Sequence, residues 1–273
     1  MVYINRKEYE RTLGLLSEGN VSTICLEANC PNRYECFSNK VATFLILGPN
    51  CSRNCKYCNV HQGNLSEVND FELKSIVALV KKLNLKYVVI TSVCRDDLLD
   101  GGVSQFLKIK DYLDELGVSV EFLIPDFNGD LNLISKIVKS KPRVINHNIE
   151  TVESLFNMLR PQGDYFRSLK LLNDIKLIDP KMITKSGFML GLGESFDDIK
   201  KTLVDLNDAK VDLITIGEYF SPSNDHFEKK KTYTNSDFDK IRKFAESLDF
   251  KKIYIGKFVR SSYGAEEMAN LGL

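Results

Sequence analysis

From Val41 onward the chain repeats a two-part pattern, and nothing else in it limits the possible folds as much. Short apolar runs rich in β-branched and aromatic residues alternate with stretches of helical spacing. The runs are VATFLIL, YVVITSV, VSVEFLI, RVINHNI, ITKSGFMLGL and DLITIGEYF. Strands this continuously apolar are covered on both faces, as in a parallel sheet flanked by helices. Between the runs, Leu73, Ile76, Val77, Val80 and Leu83 recur at helical spacing over Phe71–Leu83, and Ile199, Leu203 and Leu206 do so over Phe196–Leu206. Six such units, followed by the late strand-like segment KIYIGKFV, are too few for an eight-stranded barrel. The expected fold class is α/β: a partial, open (β/α)6 TIM-type barrel with N-terminal and C-terminal extensions. Crossovers are right-handed, and chemistry gathers at the carboxyl ends of the strands.

Three spans follow. Residues 1–40 form an N-terminal extension with a short amphipathic helix near Arg6 to Leu16, residues 41–250 the barrel, and residues 251–273 a C-terminal segment. The stretch SPSNDHFEKKKTYTNSD is the most loop-like and reads as a mobile surface segment, its KKK run as a solvated turn.

Lys and Arg number 37 against 37 Asp and Glu, so no long-range field attracts nucleic acid or anionic lipid. No apolar run is long enough to span a bilayer. The opening MVYINRKEYERTLGLLSEGN carries charges throughout and no apolar signal core. The expectation is a cytoplasmic protein with neither nucleic-acid nor membrane partners. In a reducing compartment an odd count of 7 cysteines points to metal or redox chemistry rather than disulfides.

Six of those cysteines fall into two triplets: Cys25, Cys30 and Cys36 before the first strand, then Cys51, Cys55 and Cys58 directly after it. Three thiolates on one short loop suit three irons of a four-iron cluster, leaving the fourth iron open. The alternative is a zinc site completed by His61, although only one C-x2-C pair is present and zinc ribbons use paired knuckles. Elsewhere the strand ends carry Thr91, Ser92 and Asp96, the turn glycines Gly101 and Gly102, and then Asn148 and Glu150. Each has a plain alternative as a cap, a turn or a packed polar group. His147 reads as a packed, hydrogen-bonded residue. Arg160 and Lys185 read equally as structural ion pairs or as partners of a carboxylate or carbonyl. The GLGE at Gly191–Glu194 is a lone glycine motif and not a dinucleotide fingerprint.

The stretch CSRNCKYC, with Tyr57 before its last cysteine, resembles the cluster motif of the radical S-adenosylmethionine (SAM) superfamily. CLEANCPNRYECF resembles, more narrowly, the N-terminal cysteine motif of the lipoyl synthase family. TSVCRDDLLDGG, NHNIETV, LRPQGDYFRSL, TKSGFMLGLGE, TIGEYFSPS and VRSSY agree with that family in order along the chain. The resemblance implies two [4Fe–4S] clusters, one on Cys51, Cys55 and Cys58. The auxiliary one sits on Cys25, Cys30 and Cys36, with Ser262 of RSSY as fourth ligand and Ser261 as the fallback. It implies two SAM per product. The residues expected around SAM are Thr91, Ser92, Asp96, Gly101, Gly102, Asn148 and Glu150, and the expected catalytic cations are Arg160 and Lys185, paired with the SAM carboxylate or the acyl carbonyl. The implied reaction inserts two sulfur atoms, drawn from the auxiliary cluster, at C6 and C8 of a protein-bound octanoyl-lysine. The implied partners are an octanoylated lipoyl-carrier domain or the glycine cleavage H protein, and a low-potential donor such as ferredoxin or flavodoxin. The alternative is another sulfur-inserting radical SAM enzyme acting on a different acyl or small-molecule substrate. The chain departs from the family pattern in three places. Cys94 stands where aspartate is usual, Glu218 where glutamine is usual, and IGKFVRSSYG, with Gly264, replaces the more usual SGPxVRSSYHA.

Overall fold

The structure, a computed structural model, describes residues 5–271. Residues 1–4 and 272–273 of the first and last expected spans lie outside them. Seven strands follow one another through the sheet in chain order: β1 (Thr43–Ile46), β2 (Tyr87–Ser92), β3 (Ser119–Leu123), β4 (Val144–Asn146), β5 (Thr184–Leu190), β6 (Leu213–Glu218) and β7 (Lys252–Ile255). The pairings of β1 with β2, β2 with β3, β4 with β5, β5 with β6 and β6 with β7 are parallel. β1 and β7 stand at the two ends of the order, so the sheet is open. The late segment KIYI therefore supplies a seventh strand, paired with β6, beyond the six expected units.

Every residue of β1 and of β6 is buried, as expected for strands covered on both faces. The helix Phe71–Leu83 buries Leu73, Ile76, Leu79, Val80 and Leu83, and Asn84 ends it in the left-handed conformation. Capping boxes start two further helices. Ser195 with Asp198 opens Phe196–Asp208, and Thr234 with Asp237 opens Asn235–Ala245. Among the described residues no helix is long and apolar enough to cross a membrane.

The chain divides into two compact units. The first comprises residues up to Arg53 together with Asn59–Pro125, and so carries β1–β3. The second comprises Asn54–Cys58 together with residues from Asp126 on, and so carries β4–β7.

Candidate active site

In the first unit the helix Arg6–Glu18 seats the segment that bears the first cysteine triplet. Thr12 Oγ1 donates to the Phe37 carbonyl at 2.9 Å, and the Tyr9 ring lies 5.1 Å from Tyr34 and 6.1 Å from Phe37. Thr23 forms an antiparallel bridge with Phe44, and Leu45 N donates to Ser22 O at 2.9 Å, so the segment enters alongside β1. Thr23 Oγ1 also accepts from Leu26 N, starting a one-turn helix that contains Cys25. Cys30 N donates to Cys25 O at 3.0 Å and Cys36 N to Asn32 O at 2.9 Å, which folds the three cysteines together.

Their thiols act on one another. Burial pushes Cys25 up to about 11, with Cys30 adding to it and the backbone of Thr43 opposing it. Burial pushes Cys36 up to about 12, with Cys25, Cys30 and Glu35 adding. Neighbouring sulfurs that repel one another as thiolates, Cys25 among them buried and Cys30 and Cys36 partly so, are stable when protonated or when a cation sits among them, because thiolates are the metal-binding form. Among the described residues no three His, Cys, Asp or Glu side chains converge on one point closely enough for a single ion. A four-iron cluster makes a different demand, with one thiolate at each of three separate irons. The donor set fits it.

The second triplet is divided between the units: Cys51 belongs to the first, Cys55 and Cys58 to the second. Cys51 Sγ accepts from Arg53 N at 3.4 Å and from Cys94 N at 3.3 Å, and Ser52 N donates to Cys94 O at 2.9 Å. The Cys94 thiol is its strongest stabiliser. With the two N–H groups and the Arg53 guanidinium it overcomes burial and draws Cys51 down to about 6, which favours the thiolate form. Arg53 is buried and paired two-pronged with Asp96, Nε to Oδ2 at 2.8 Å and Nη2 to Oδ1 at 2.7 Å, and Ser52 Oγ donates to the same carboxylate at 2.7 Å. Neither Arg53 nor Cys94 was singled out as a site residue by pattern. The two-residue offset of Arg53 from Cys51 was the available signal.

In the second unit Cys58 N donates to Cys55 O at 3.1 Å, Lys56 N to Leu159 O at 2.9 Å, and Asn54 N to Gln162 Oε1 at 3.2 Å. Tyr57 packs against the cluster of Leu159, Leu192 and Tyr219. Burial raises its pKa well above the usual phenol value, the charges of Glu150, Cys55 and Cys58 add to that, and Arg160 opposes it.

The strand ends sort the other expected residues. Thr91 is buried and donates to Leu123 O at 3.0 Å, which commits its hydroxyl to the sheet. Ser92, which ends β2, has its Oγ buried with no hydrogen-bond partner among the described residues. Gly101 and Gly102 adopt positive φ, and a Cβ on Gly102 would lie 2.2 Å from Leu47 Cδ1. Asp100 accepts from Gly102 N and Ser104 N, both at 2.9 Å, so this pair is a capped turn into the helix Val103–Asp114.

Just past β4, Asn148 Oδ1 is buried without a partner among the described residues, while its carbonyl accepts from Arg160 Nη1 at 3.1 Å. Glu150 holds φ at +70°, a costly conformation for a residue with a side chain, and is pinned there by Glu150 N to Gly187 O at 3.0 Å and Met189 N to its carbonyl at 2.9 Å. Burial raises its pKa against the pull of Arg160, the Asn148 amide and Arg260. Beyond them, His147 is packed, its Nε2 3.1 Å from Ser168 Oγ. Lys185 is fully buried at the second position of β5, toward the amino end of that strand rather than the carboxyl end where Asn148 and Glu150 gather. At the carboxyl end of β6, Glu218 is fully buried, ion-paired to Lys229 through one oxygen, its Oε2 having no hydrogen-bond partner among the described residues. Unpaired buried polar atoms are costly and rare in folded proteins, and ligand-binding sites are where they accumulate.

The RSSY segment follows β7. A Cβ on Gly217 would lie 1.9 Å from Val259 O, so the missing side chain lets this segment approach β6. Tyr263 N donates to Arg260 O at 3.0 Å, making a turn that carries Ser261 and Ser262, both half-buried and neither hydrogen-bonded through its hydroxyl among the described residues. The loop after β6, SPSNDHFEKKKTYTNSD, is a surface segment with several ties to the rest of the second unit. Lys230 N donates to Gly191 O at 2.8 Å, Tyr219 OH to Phe227 O at 2.9 Å and Tyr233 OH to Glu194 Oε1 at 2.6 Å. Glu194 in turn accepts from Gly191 N and Leu192 N, so GLGE is a self-capped turn.

The Radical SAM superfamily profile matches residues 45–206. A lipoyl synthase of Caldicellulosiruptor saccharolyticus is 45% identical over 96% of this chain and 93% of its own length. One from Caldanaerobacter subterraneus subsp. tengcongensis is 42% identical over 97% and 94%. Among solved structures, HydG, a maturase of the [FeFe]-hydrogenase, aligns with a TM-score of 0.62 over 99% of this chain and 71% of that one at 14% identity. Methylornithine synthase aligns with a TM-score of 0.58 over 92% and 72% at 13% identity. These structural likenesses show the fold alone. With a superfamily profile over more than half its length and relatives alike over nearly all of it, the chain belongs to the lipoyl synthase family of radical SAM enzymes.

Proposed function

We propose that this chain inserts two sulfur atoms, at C6 and C8, into an octanoyl chain carried on a lysine of a lipoyl-carrier domain or glycine cleavage H protein. The observation that carries this reading is the first cysteine triplet, bound alongside β1 through Thr23 and borne on a different stretch of chain from the triplet that follows that strand. One cluster would serve to cleave SAM, and a second is needed as sulfur source. When bound, the reduced cluster and SAM supply a 5′-deoxyadenosyl radical, and cluster potentials reaching roughly −700 mV make the electron transfer possible. Unactivated C–H bonds offer no acidic proton, so no acid–base pair is required of the protein.

The residues bind, orient and exclude. We assign Cys51, Cys55 and Cys58 to the first cluster, and Cys25, Cys30, Cys36 and Ser262 to the auxiliary cluster, which acts as a sulfur-donating substrate. Ser92 and Asn148 bring unused polar atoms to SAM, and Glu150 brings a carboxylate suited to ribose hydroxyls. Arg160 lies beside Asn148 and Glu150 as the local cation. Asp96 acts through Arg53 and Ser52 on the cluster loop, while Thr91, Gly101 and Gly102 shape the strand end. We infer a structural role for Lys185 inside the sheet. The organisation into residues 1–40, 41–250 and 251–273, a cytoplasmic location, and a ferredoxin or flavodoxin as electron donor belong to the same proposal.

The test is anaerobic incubation of reconstituted protein with SAM, reductant and an octanoyl-lysyl peptide, read by mass spectrometry. The expected product has gained two sulfur atoms. Formation of 5′-deoxyadenosine with the peptide unchanged would favour a sulfur-inserting enzyme of another substrate class. Reconstituted wild type should hold about eight irons per chain, and Cys25→Ala/Cys30→Ala/Cys36→Ala about four. About four in the wild type would overturn the two-cluster assignment.

A further inference from the structure

The segment between β6 and the helix Asn235–Ala245 reaches back to the cluster loop within the second unit, at two successive points. Phe227 N donates to Lys56 O at 3.0 Å, and His226 Nε2 lies 3.2 Å from Cys58 O. The two contacts hold the carbonyls on either side of Tyr57. A carbonyl only accepts, so Nε2 carries the proton and donates to Cys58. His226 Nδ1 is 2.9 Å from Ser223 Oγ. That oxygen already accepts from Asp225 N at 3.2 Å, which leaves its own proton for Nδ1. Ser221 Oγ in turn donates to Ser223 O at 2.7 Å. One neutral tautomer satisfies both ring nitrogens, and turning the ring over would break both bonds.

The segment that presents this ring is itself fixed. Besides the ties to Gly191, Tyr219 and Glu194, Lys229 is ion-paired with buried Glu218. Cys58 is the last ligand on its loop, and its N–H donates to Cys55 O. Surface loops open locally more readily than the core does. A backbone held on both sides of Tyr57 keeps the Cys58 sulfur where the metal needs it, as outer partners do for first-sphere ligands.

We propose that His226, oriented by Ser223, is a positioning residue for the radical-generating cluster, and that residues 221–234 form a strap holding the Cys55–Cys58 end of the cluster loop. This rests on the assignment of Cys58 as an iron ligand. Removing one such hydrogen bond corresponds to about a tenfold change in loop opening.

The test compares wild type with His226→Ala, His226→Gln and Ser223→Ala as reconstituted full-length chains. Chelator-driven iron release is followed separately for the two clusters by making each change also in the Cys25→Ala/Cys30→Ala/Cys36→Ala background. His226→Ala should release iron from the Cys51–Cys58 loop about tenfold faster and leave the other cluster unchanged. His226→Gln, whose amide reaches the same carbonyl, should restore release to within about twofold, and Ser223→Ala should fall between. On the metal-free full chain, amide exchange over residues 51–58 should quicken by a similar factor in His226→Ala. Wild-type exchange and wild-type iron release in a folded His226→Ala chain would overturn the proposal. Should His226→Ala fail to fold, Ser223→Ala decides, and unchanged exchange and release in it overturn the proposal equally. Failure of the underlying assignment looks different: Cys58→Ala would then keep the full iron content of the wild type.

Discussion

Asp96 illustrates how a carboxylate at a strand end can serve its site at one remove. Its oxygens are taken by Arg53 and Ser52, so its effect falls on the loop that carries Cys51. Asp96→Ala leaves a buried guanidinium without its main partner, and the expected cost is about 2 kcal/mol in a denaturation midpoint. SAM affinity should change far less than retention of iron at the Cys51–Cys58 loop, which equilibrium dialysis and iron assay separate. The two triplets also differ in readiness. Cys51 is drawn down to about 6, whereas Cys25 and Cys36 are pushed up to about 11 and about 12. In the metal-free chain at pH 7.5, alkylation of Cys51 should outpace that of Cys25 and Cys36 by about tenfold or more, measured by peptide mass spectrometry. Cys94→Ala removes the strongest of Cys51's stabilisers and should narrow that gap.

At the scale of elements, close approach is bought by two glycines. A side chain at Gly217 would strike the Val259 carbonyl, backbone that cannot swing aside. Gly217→Ala should therefore displace the RSSY turn and weaken the auxiliary cluster while 5′-deoxyadenosine formation persists, which a product assay and an iron count together would read. At Gly102 the obstacle is the end of the Leu47 side chain, but φ is +87° and any Cβ is strained there. Gly102→Ala should lower stability by about 2 kcal/mol, seen as a lower melting temperature. These elements were largely legible from spacing. Phe71–Leu83 and the six apolar runs matched because apolar periodicity reports burial directly. The segment 221–234 was not, since its composition says loop while its anchors lie in Gly191, Glu194, Lys56 and Cys58, remote in sequence.

Across the whole molecule, stability at low pH has an identifiable weak point. Asp212 opens β6. Burial disfavours its charge, but Lys176 at 2.6 Å, Lys251 at 2.8 Å and the Thr184 N–H outweigh burial and hold the carboxyl below the usual range. A depressed folded-state pKa means that the stabilisation is complete above the unfolded value of about 4 and is lost as pH falls through the folded value. Denaturation midpoints should decline below about pH 4, and less steeply in Asp212→Asn than in wild type, although that variant starts lower.

What the sequence determined by itself is the set of donors and their order: two cysteine triplets around the first strand, RSSY after the last, and parallel strands between. Ligand chemistry and apolar periodicity are local properties, readable along a line. What only the tertiary structure decided is how each donor is prepared. It brought Cys94 to Cys51, set Arg53 on Asp96, left polar atoms of Ser92, Asn148 and Glu218 without hydrogen-bond partners among the described residues at strand ends, and folded His226 back onto Cys58. Those effects arise from burial and from contacts between residues far apart in the chain, and no spacing rule encodes them.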